Sequence, residues 1–344
     1  MPDQPHRTDV AVIGAGPVGL FAIFECGMLN MHCHVVDALD APGGQCTALY
    51  PEKPIYDIPG YPTILAQELV DKLQTQAAPF EPVFHLGQQV EELSETDCGR
   101  WLLTTTKGCV IDAAAVIIAA GVGAFGPNRP PLPNIQDYEG QGEGSGVHYL
   151  VRRREDFRNR RVVIAGGGDS AVDWALSLAD VASSVAVIHR RAKFRAAPDS
   201  VLKLGQLAGE GRIELVVPYQ LHGLEGANGR LEAVIVADLD GKRRTLPADA
   251  LLPFFGLAQN LGPIAEWGLN LHRNLIRVDP ASCSTGRSGL YAIGDIATYS
   301  GKLKLILTGF AEAAAAAHAA YAQVNPGEAL HFEYSTTKGV PIHN

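Results

Sequence analysis

Thr8-Asp9-Val10-Ala11-Val12-Ile13-Gly14-Ala15-Gly16-Pro17-Val18-Gly19 (TDVAVIGAGPVG) is a short β-branched apolar run that stops on three glycines and opens into the apolar stretch 20–29. The order reads strand, turn, helix. Gly14, Gly16 and Gly19 allow a tight turn, close approach of the backbone to a pyrophosphate, and helix-on-strand packing, with the phosphates at the helix N-terminus. Glycines alone are a weak motif. A second apolar strand, His34-Val35-Val36, ends in Asp37, about 20 residues on, where a carboxylate can accept hydrogen bonds from a ribose. The alternative is a glycine turn with no ligand.

The pattern returns further along. Arg161-Val162-Val163-Ile164-Ala165 leads into Gly166-Gly167-Gly168-Asp169-Ser170-Ala171 and then a helical stretch over 172–179. The next strand, Val185–Ile188, ends in His189-Arg190-Arg191, with Arg195 close behind, instead of an acid. A carboxylate there would repel a 2′-phosphate, whereas guanidinium groups pair with one bidentately, so Gly166, Gly168, Asp169, Ser170, Ala171, His189, Arg190, Arg191 and Arg195 form the expected NADPH site. A solvated basic strand end is the plain alternative. A third apolar strand, Gly289–Ile293, closes on Gly294-Asp295, placing a carboxylate at the end of a sheet where open α/β folds bind ligands.

The expected fold class is α/β with two Rossmann-like dinucleotide-binding domains. The 344-residue chain is 47% hydrophobic, enough for two cores. A formal net charge of −9 argues against broad nucleic-acid binding. No apolar run has bilayer length, and the N-terminus lacks a basic region followed by a short apolar core, so a cytoplasmic protein without a membrane segment is expected. Six cysteines with no CxxC pair fit a reducing compartment. His32-Cys33-His34 has no further ligands at suitable spacing, so no metal is expected.

GAGPVG with Asp37, VIIAAG at 116–121, GGGDSA with HRRAKFRA, and YAIGD at 291–295 occur in this order. Together they resemble the two-dinucleotide-binding-domain flavoproteins of the thioredoxin reductase type over nearly the whole chain. The resemblance implies a discontinuous FAD domain, 1–124 and 254–344, with an NADPH domain, 125–253, inserted in it. It also makes the disulfide the feature that separates branches. Cys46, after Gly43-Gly44, matches the first cysteine of the glutathione-reductase-like pair, but Pro51 occupies the second position; Val147–Arg152, where thioredoxin reductases carry CxxC, holds no cysteine. A dithiol relay lacks its second thiol, which leaves Cys46 a packed small residue or a lone peroxidatic thiol.

GGQCTALYPEKPIYDIPGYP at 43–62, GGGDSAVDWA, and the tail HFEYSTTKG at 331–339 resemble the ferredoxin-NADP+ reductases of this type, which keep the fold and drop the disulfide. That resemblance implies FAD, NADPH/NADP+, ferredoxin as the acidic partner, and a homodimer. It carries Gly14, Gly16, Gly19, Asp37, Gln45, Tyr50, Val90, Phe125, Asp295 and Thr336 into the FAD site. Tyr50 and Tyr334 are the implied flavin-stacking rings, although a frayed polar terminus is the alternative for the tail. A helix over 308–322, capped by Thr308, would point its N-terminus at the pyrimidine end of the flavin. The implied reaction passes two electrons from NADPH to FAD and on to ferredoxin singly. A quinone or other small acceptor, or a non-catalytic flavin or nucleotide sensor, is the alternative. Arg152-Arg153-Arg154 with Arg158, Arg160 and Arg161 is either a steering patch for an acidic partner or a solvated face laced with Glu155 and Asp156.

Overall fold

A computed structural model describes residues 4–139, 146–330 and 339. Contacts divide the chain into two compact units, Met1–Phe125 with Gln259–Asn344, and Gly126–Ala258. The second crossing falls a few residues beyond the expected residue 254. Phe254 is still docked on the inserted unit, its N–H donating to the Ala165 carbonyl at 2.8 Å. The two crossings run beside one another: Gly123 bridges Asn260, and the Asn128 N–H donates to Gly256.

The first unit is built on a seven-stranded sheet. Its order is Val83–Leu86, Cys33–Asp37, His6–Ile13, Val110–Ile118, Trp101–Thr105, Val90–Glu95, with Leu290–Ala292 also pairing the Val110–Ile118 strand. The strands around His6–Ile13 are parallel, with Ile13 opposite Val36 and Ile118. Strand alternation sends Val10, Val12, Val35 and Ile117 to one face, against helices Pro17–Met28, Ala66–Ala77 and Ile306–Val324. Ala11, Ile13, Val36 and Ile118 face the other way, toward Trp101, Leu103 and Trp267. Both faces of the parallel strands are therefore buried, which is why they read as continuous apolar runs. Each fully buried valine, leucine or isoleucine contributes roughly 1.5–3 kcal/mol.

The return strand Leu290–Ala292 runs parallel to the last part of Val110–Ile118, with Ala292 opposite Ile118. That register carries Gly294-Asp295 to the sheet end where the first glycine turn lies. The following helix spans Ile306–Val324, with Leu305 as its N-cap. It starts two residues before Thr308, so Thr308 lies in the first turn and is not the cap. Leucine and isoleucine are adequate helix formers, and the Gly309 N–H reaches back to the Leu305 carbonyl at 3.1 Å.

The second unit repeats the design at smaller scale. Four parallel strands run in the order Ile213–Val216, Ser184–Ile188, Arg161–Ala165, Ala250–Pro253. Helices Asp169–Leu178 and Pro198–Gly209 accompany them, and an antiparallel meander, Gln220–Ala227, Arg230–Ala237 and Arg243–Pro247, packs its apolar residues into the same core. The two βαβ units share one register: Gly14 donates to the Val36 carbonyl at 2.8 Å, and Gly166 donates to the Ile188 carbonyl at 3.0 Å. Asp37 and His189 are therefore equivalent positions.

Candidate nucleotide-binding sites

At the first turn the three glycines have different reasons to be there. A Cβ on Gly14, whose φ is +108°, would lie 2.4 Å from the Ala119 carbonyl oxygen; one on Gly19 would lie 2.0 Å from the Gly14 carbonyl oxygen. Packing of strand and helix excludes any side chain at both. Gly16 has ordinary extended backbone (φ −69°, ψ 178°), and a Cβ there would meet no atom of the described residues within 4 Å. Among the described residues nothing requires glycine at 16, and the turn is open there to the close approach of a ligand. Gly16 is the N-cap of helix Pro17–Met28, which has no side-chain cap. Its first-turn N–H groups are left to an anion.

A cavity of about 470 Å³ opens on this turn and lies wholly within the first unit. Gly14, Gly16, Asp37, Gln45, Tyr50, Val90 and Asp295 line it, joined by Leu39, Gln88, Gln89, Leu261, Ile264, Trp267 and the run Lys304–Ile306. Its volume and mixed polar and apolar lining suit a nucleotide cofactor. Asp37 is buried and accepts the Ala15 N–H at 2.6 Å and the Leu39 N–H at 2.8 Å, one on each carboxylate oxygen. Each oxygen keeps lone-pair capacity for a ribose hydroxyl. Burial lifts its pKa above the ordinary carboxylate value, against those two N–H bonds.

Cys46 is buried beside Tyr50. Burial pushes its thiol up to about 11, so at neutral pH it stays protonated and a poor nucleophile. All six cysteines are free thiols. Tyr50 is half-buried at the cavity wall, its hydroxyl held protonated by burial and by Cys46.

The second turn repeats the logic. A Cβ on Gly166 would lie 2.7 Å from the Phe254 carbonyl oxygen, and one on Gly167 would lie 2.3 Å from the His189 ring. A Cβ on Gly168, again extended (φ −99°, ψ −178°), would meet nothing within 4 Å among the described residues, and Gly168 is the N-cap, with no side-chain cap, of helix Asp169–Leu178. The loop after His189 is tied to this turn: the Arg195 N–H donates to the Gly167 carbonyl at 2.7 Å, and Asp169 accepts the Ala197 N–H at 2.9 Å. Ser170 is exposed in the first helical turn, and Ala171 is buried beside Gly166. Arg190, Arg191 and Arg195 are exposed, and among the described residues no carboxylate pairs with them. His189 is buried against Phe194, with ring centroids 5.2 Å apart. Its Nε2 is the one buried side-chain nitrogen or oxygen without a hydrogen-bond partner among the described residues.

Tyr334 and Thr336 lie outside the described residues, and the side chain of Phe125 is likewise outside them. The arginines of 152–161 are mostly engaged within their own unit. Arg153 meets Asp156 at 2.7 Å, Arg158 meets Glu155 at 2.5 Å, Arg161 meets Asp249 at 2.6 Å, and Arg160 donates to the Asp249 carbonyl at 2.6 Å. Among the described residues no group of three His, Cys, Asp or Glu side chains could hold a metal, and His34 is bonded to His85 at 3.0 Å instead. Among them, too, no helix is long and apolar enough to cross a membrane.

Two units, each with parallel strands leading to a glycine turn and a helix N-terminus suited to a phosphate, define an α/β protein with two nucleotide sites. The chain belongs to the pyridine nucleotide-disulphide oxidoreductase family, whose model matches residues 8–323. A ferredoxin-NADP reductase of Rhodospirillum rubrum is 66% identical over 340 residues, covering 98% of this chain and 97% of the relative. One of Paramagnetospirillum magneticum is 65% identical over 336 residues, covering 98% of each. Among solved structures, Lactococcus lactis thioredoxin reductase matches with a TM-score of 0.77 at 25% identity, over 92% of this chain and 99% of that one.

Proposed function

We propose that this protein transfers electrons between NADPH and ferredoxin through FAD, with no redox disulfide. The observation that carries the reading is the pair of helix N-termini open among the described residues, one beside a carboxylate and the other followed by three exposed arginines with no carboxylate partner among those residues. We assign FAD to the first unit and NADPH to the second.

Bound FAD supplies the capacity to accept an electron pair from a dihydronicotinamide and release it one electron at a time. The chain's part is placement. The first turn of helix Pro17–Met28 orients the pyrophosphate, Asp37 accepts from the ribose, and Gln45, Val90 and Asp295 wall the cavity. Tyr50, in the cavity wall, would cover apolar ring surface of the bound cofactor and keep water off it. Cys46, protonated and buried, takes no part in electron transfer. In the second unit, Gly166, Gly168, Ser170 and Ala171 form the pyrophosphate turn, Asp169 anchors the loop, and Arg190, Arg191 and Arg195 recognise the 2′-phosphate. We further assign Phe125, Tyr334 and Thr336 to the flavin site. A homodimer working in the cytoplasm is the assembly we infer, and six free thiols fit a reducing compartment.

The test is anaerobic stopped-flow of the purified, FAD-loaded protein with NADPH and then oxidised ferredoxin. The flavin absorbance is expected to bleach with NADPH and to recover as two ferredoxins are reduced per NADPH. Bleaching with ferredoxin left oxidised, and recovery on adding a quinone, would move the assignment to a small acceptor.

A further inference from the structure

Helix Ile306–Val324 is rich in alanine and carries a single carboxylate, Glu312, on its buried side. Only 4% of that residue is exposed. Its carboxylate has three partners. Oε2 accepts the Gly294 N–H at 2.8 Å; Oε1 accepts the Tyr299 hydroxyl at 2.7 Å and the Lys302 ammonium. The Lys302 and Glu312 side chains are each only 5% exposed.

All three partners belong to one stretch, which begins at Gly294-Asp295 and runs on to Lys304, Leu305 and Ile306. Those five residues are a wall of the nucleotide cavity. One carboxylate thus fixes the stretch at its first residue, its middle and close to its end. The same wall touches the glycine turn: a Cβ on Gly294 would lie 3.5 Å from Val18, and one on Gly309 would lie 2.3 Å from it, and Val18 is in the first turn of helix Pro17–Met28. The cluster therefore grips the cavity at the end of the sheet where both the helix N-terminus and Asp295 converge.

Stability alone is a poor account of it. A buried ion pair loses much of its attraction to desolvation and is often replaceable by apolar residues without loss. Its geometric partners here are the wall and backbone of a ligand cavity. The charge balance matters as well, because a buried charge near a redox group is weakly screened.

We infer that Glu312 is a positioning residue for the flavin: through Gly294, Tyr299 and Lys302 it holds the 294–306 wall, and its charge, balanced against Lys302, sets the flavin's midpoint potential. The inference rests on the assignment of FAD to this cavity.

The experiment compares FAD-loaded wild type with Glu312→Gln, Lys302→Met, the double variant, and Glu312→Asp. FAD dissociation is read by flavin fluorescence, and midpoint potential by equilibration with reference dyes. Glu312→Gln leaves the Lys302 cation unbalanced and is expected to raise the potential, because a nearby positive charge favours the reduced flavin. Lys302→Met is expected to lower it, and the double variant to return near wild type. Glu312→Asp keeps the charge and shortens the reach. It is expected to weaken FAD binding about tenfold while leaving the potential in place. Potentials that stay unchanged, or move the same way in both single variants, overturn the inference. If Glu312→Gln does not fold, Lys302→Met and Glu312→Asp still read charge and reach separately. If wild type holds no FAD, the cofactor assignment fails first and takes the inference with it.

Discussion

At the end of the second strand of each βαβ unit the backbone occupies the same register, yet one chain position holds Asp37 and the other His189 followed by Arg190 and Arg191. Both residues are buried next to a glycine turn. Asp37 accepts two backbone N–H groups, whereas His189 leaves Nε2 without a partner among the described residues and is packed against Phe194, with Arg190, Arg191 and Arg195 following it in the chain. A carboxylate invites ribose hydroxyls and repels a phosphate; the arginines do the reverse. The packing differs too. At the first turn Gly19 lies so close to Gly14 that no Cβ fits, whereas at the second Ala171 already carries one, which lies 2.9 Å from a Cβ built on Gly166. The two units thus share the phosphate-binding turn and differ in what reads the rest of the nucleotide.

The largest effect expected from breaking this symmetry is at the glycines. Gly14→Ala puts a Cβ against the Ala119 carbonyl on a left-handed backbone, and loss of soluble, folded protein is expected. Gly16→Ala strains nothing in the protein, so the chain is expected to fold with apoprotein stability within about 0.5 kcal/mol of wild type and yet to lose FAD affinity by about a hundredfold. Gly168→Ala is the counterpart, retaining FAD while raising KM for NADPH. Circular dichroism melts with the flavin-to-protein absorbance ratio check all three. A Gly16→Ala protein that is as yellow as wild type would break the reading that the space above Gly16 is for the ligand.

The arginines come next in size. Charge-assisted, bidentate contacts are worth about 1.5–3 kcal/mol, so Arg190→Ala with Arg191→Ala is expected to raise KM for NADPH by more than about tenfold. KM for NADH should stay near its starting value. Steady-state kinetics with both nucleotides measure the ratio. An equal loss with NADH and NADPH would make the pair a general phosphate contact and dissolve the proposed contrast with Asp37.

Much of this was legible in the sequence because turn geometry is local. TDVAVIGAGPVG and RVVIAGGGDSA announce strand, turn and helix through residue types that few other structures need. Asp37, Asp295 and the arginines followed from where strands end. Leu39, Gln88, Gln89, Leu261, Ile264 and Trp267 carried no such signal. They reach the cavity because the Gln88 N–H bonds the Asp37 carbonyl at 3.1 Å, and because the chain returns to this unit after residue 258. Helix Ile306–Val324 starts two residues before the expected cap Thr308. Thr308 has the composition of a cap, while the helix already begins at Ile306, which packs against the core beneath it. Glu312 carried no signal of its role in the sequence, because its three partners lie 10 to 18 residues upstream and join it only in the fold.

The smallest expected effect concerns protons, and it has opposite signs at the two equivalent positions. Burial, with the charges of Arg195, Arg190 and Arg191, lowers the His189 pKa from its ordinary 6.5, against a hydrogen bond involving the Lys193 backbone. The unfolded chain then binds more protons at this residue than the folded one. Its contribution to stability is present above about pH 6.5 and is lost as pH falls toward the lowered folded value. Asp37 behaves inversely. Its folded pKa is raised, so its contribution is present below the ordinary 3.8 and is lost as pH rises through the folded value. Urea unfolding of the FAD-loaded enzyme without NADPH, compared between wild type and His189→Asn across about pH 5 to 8, isolates the first slope. The difference in unfolding free energy is expected to move in favour of wild type as pH rises, by less than about 1.4 kcal/mol per pH unit, the limit for one proton. A flat difference would mean that His189 titrates alike in both states, so that its burial carries no electrostatic cost. The two strand ends would then differ in ligand chemistry alone.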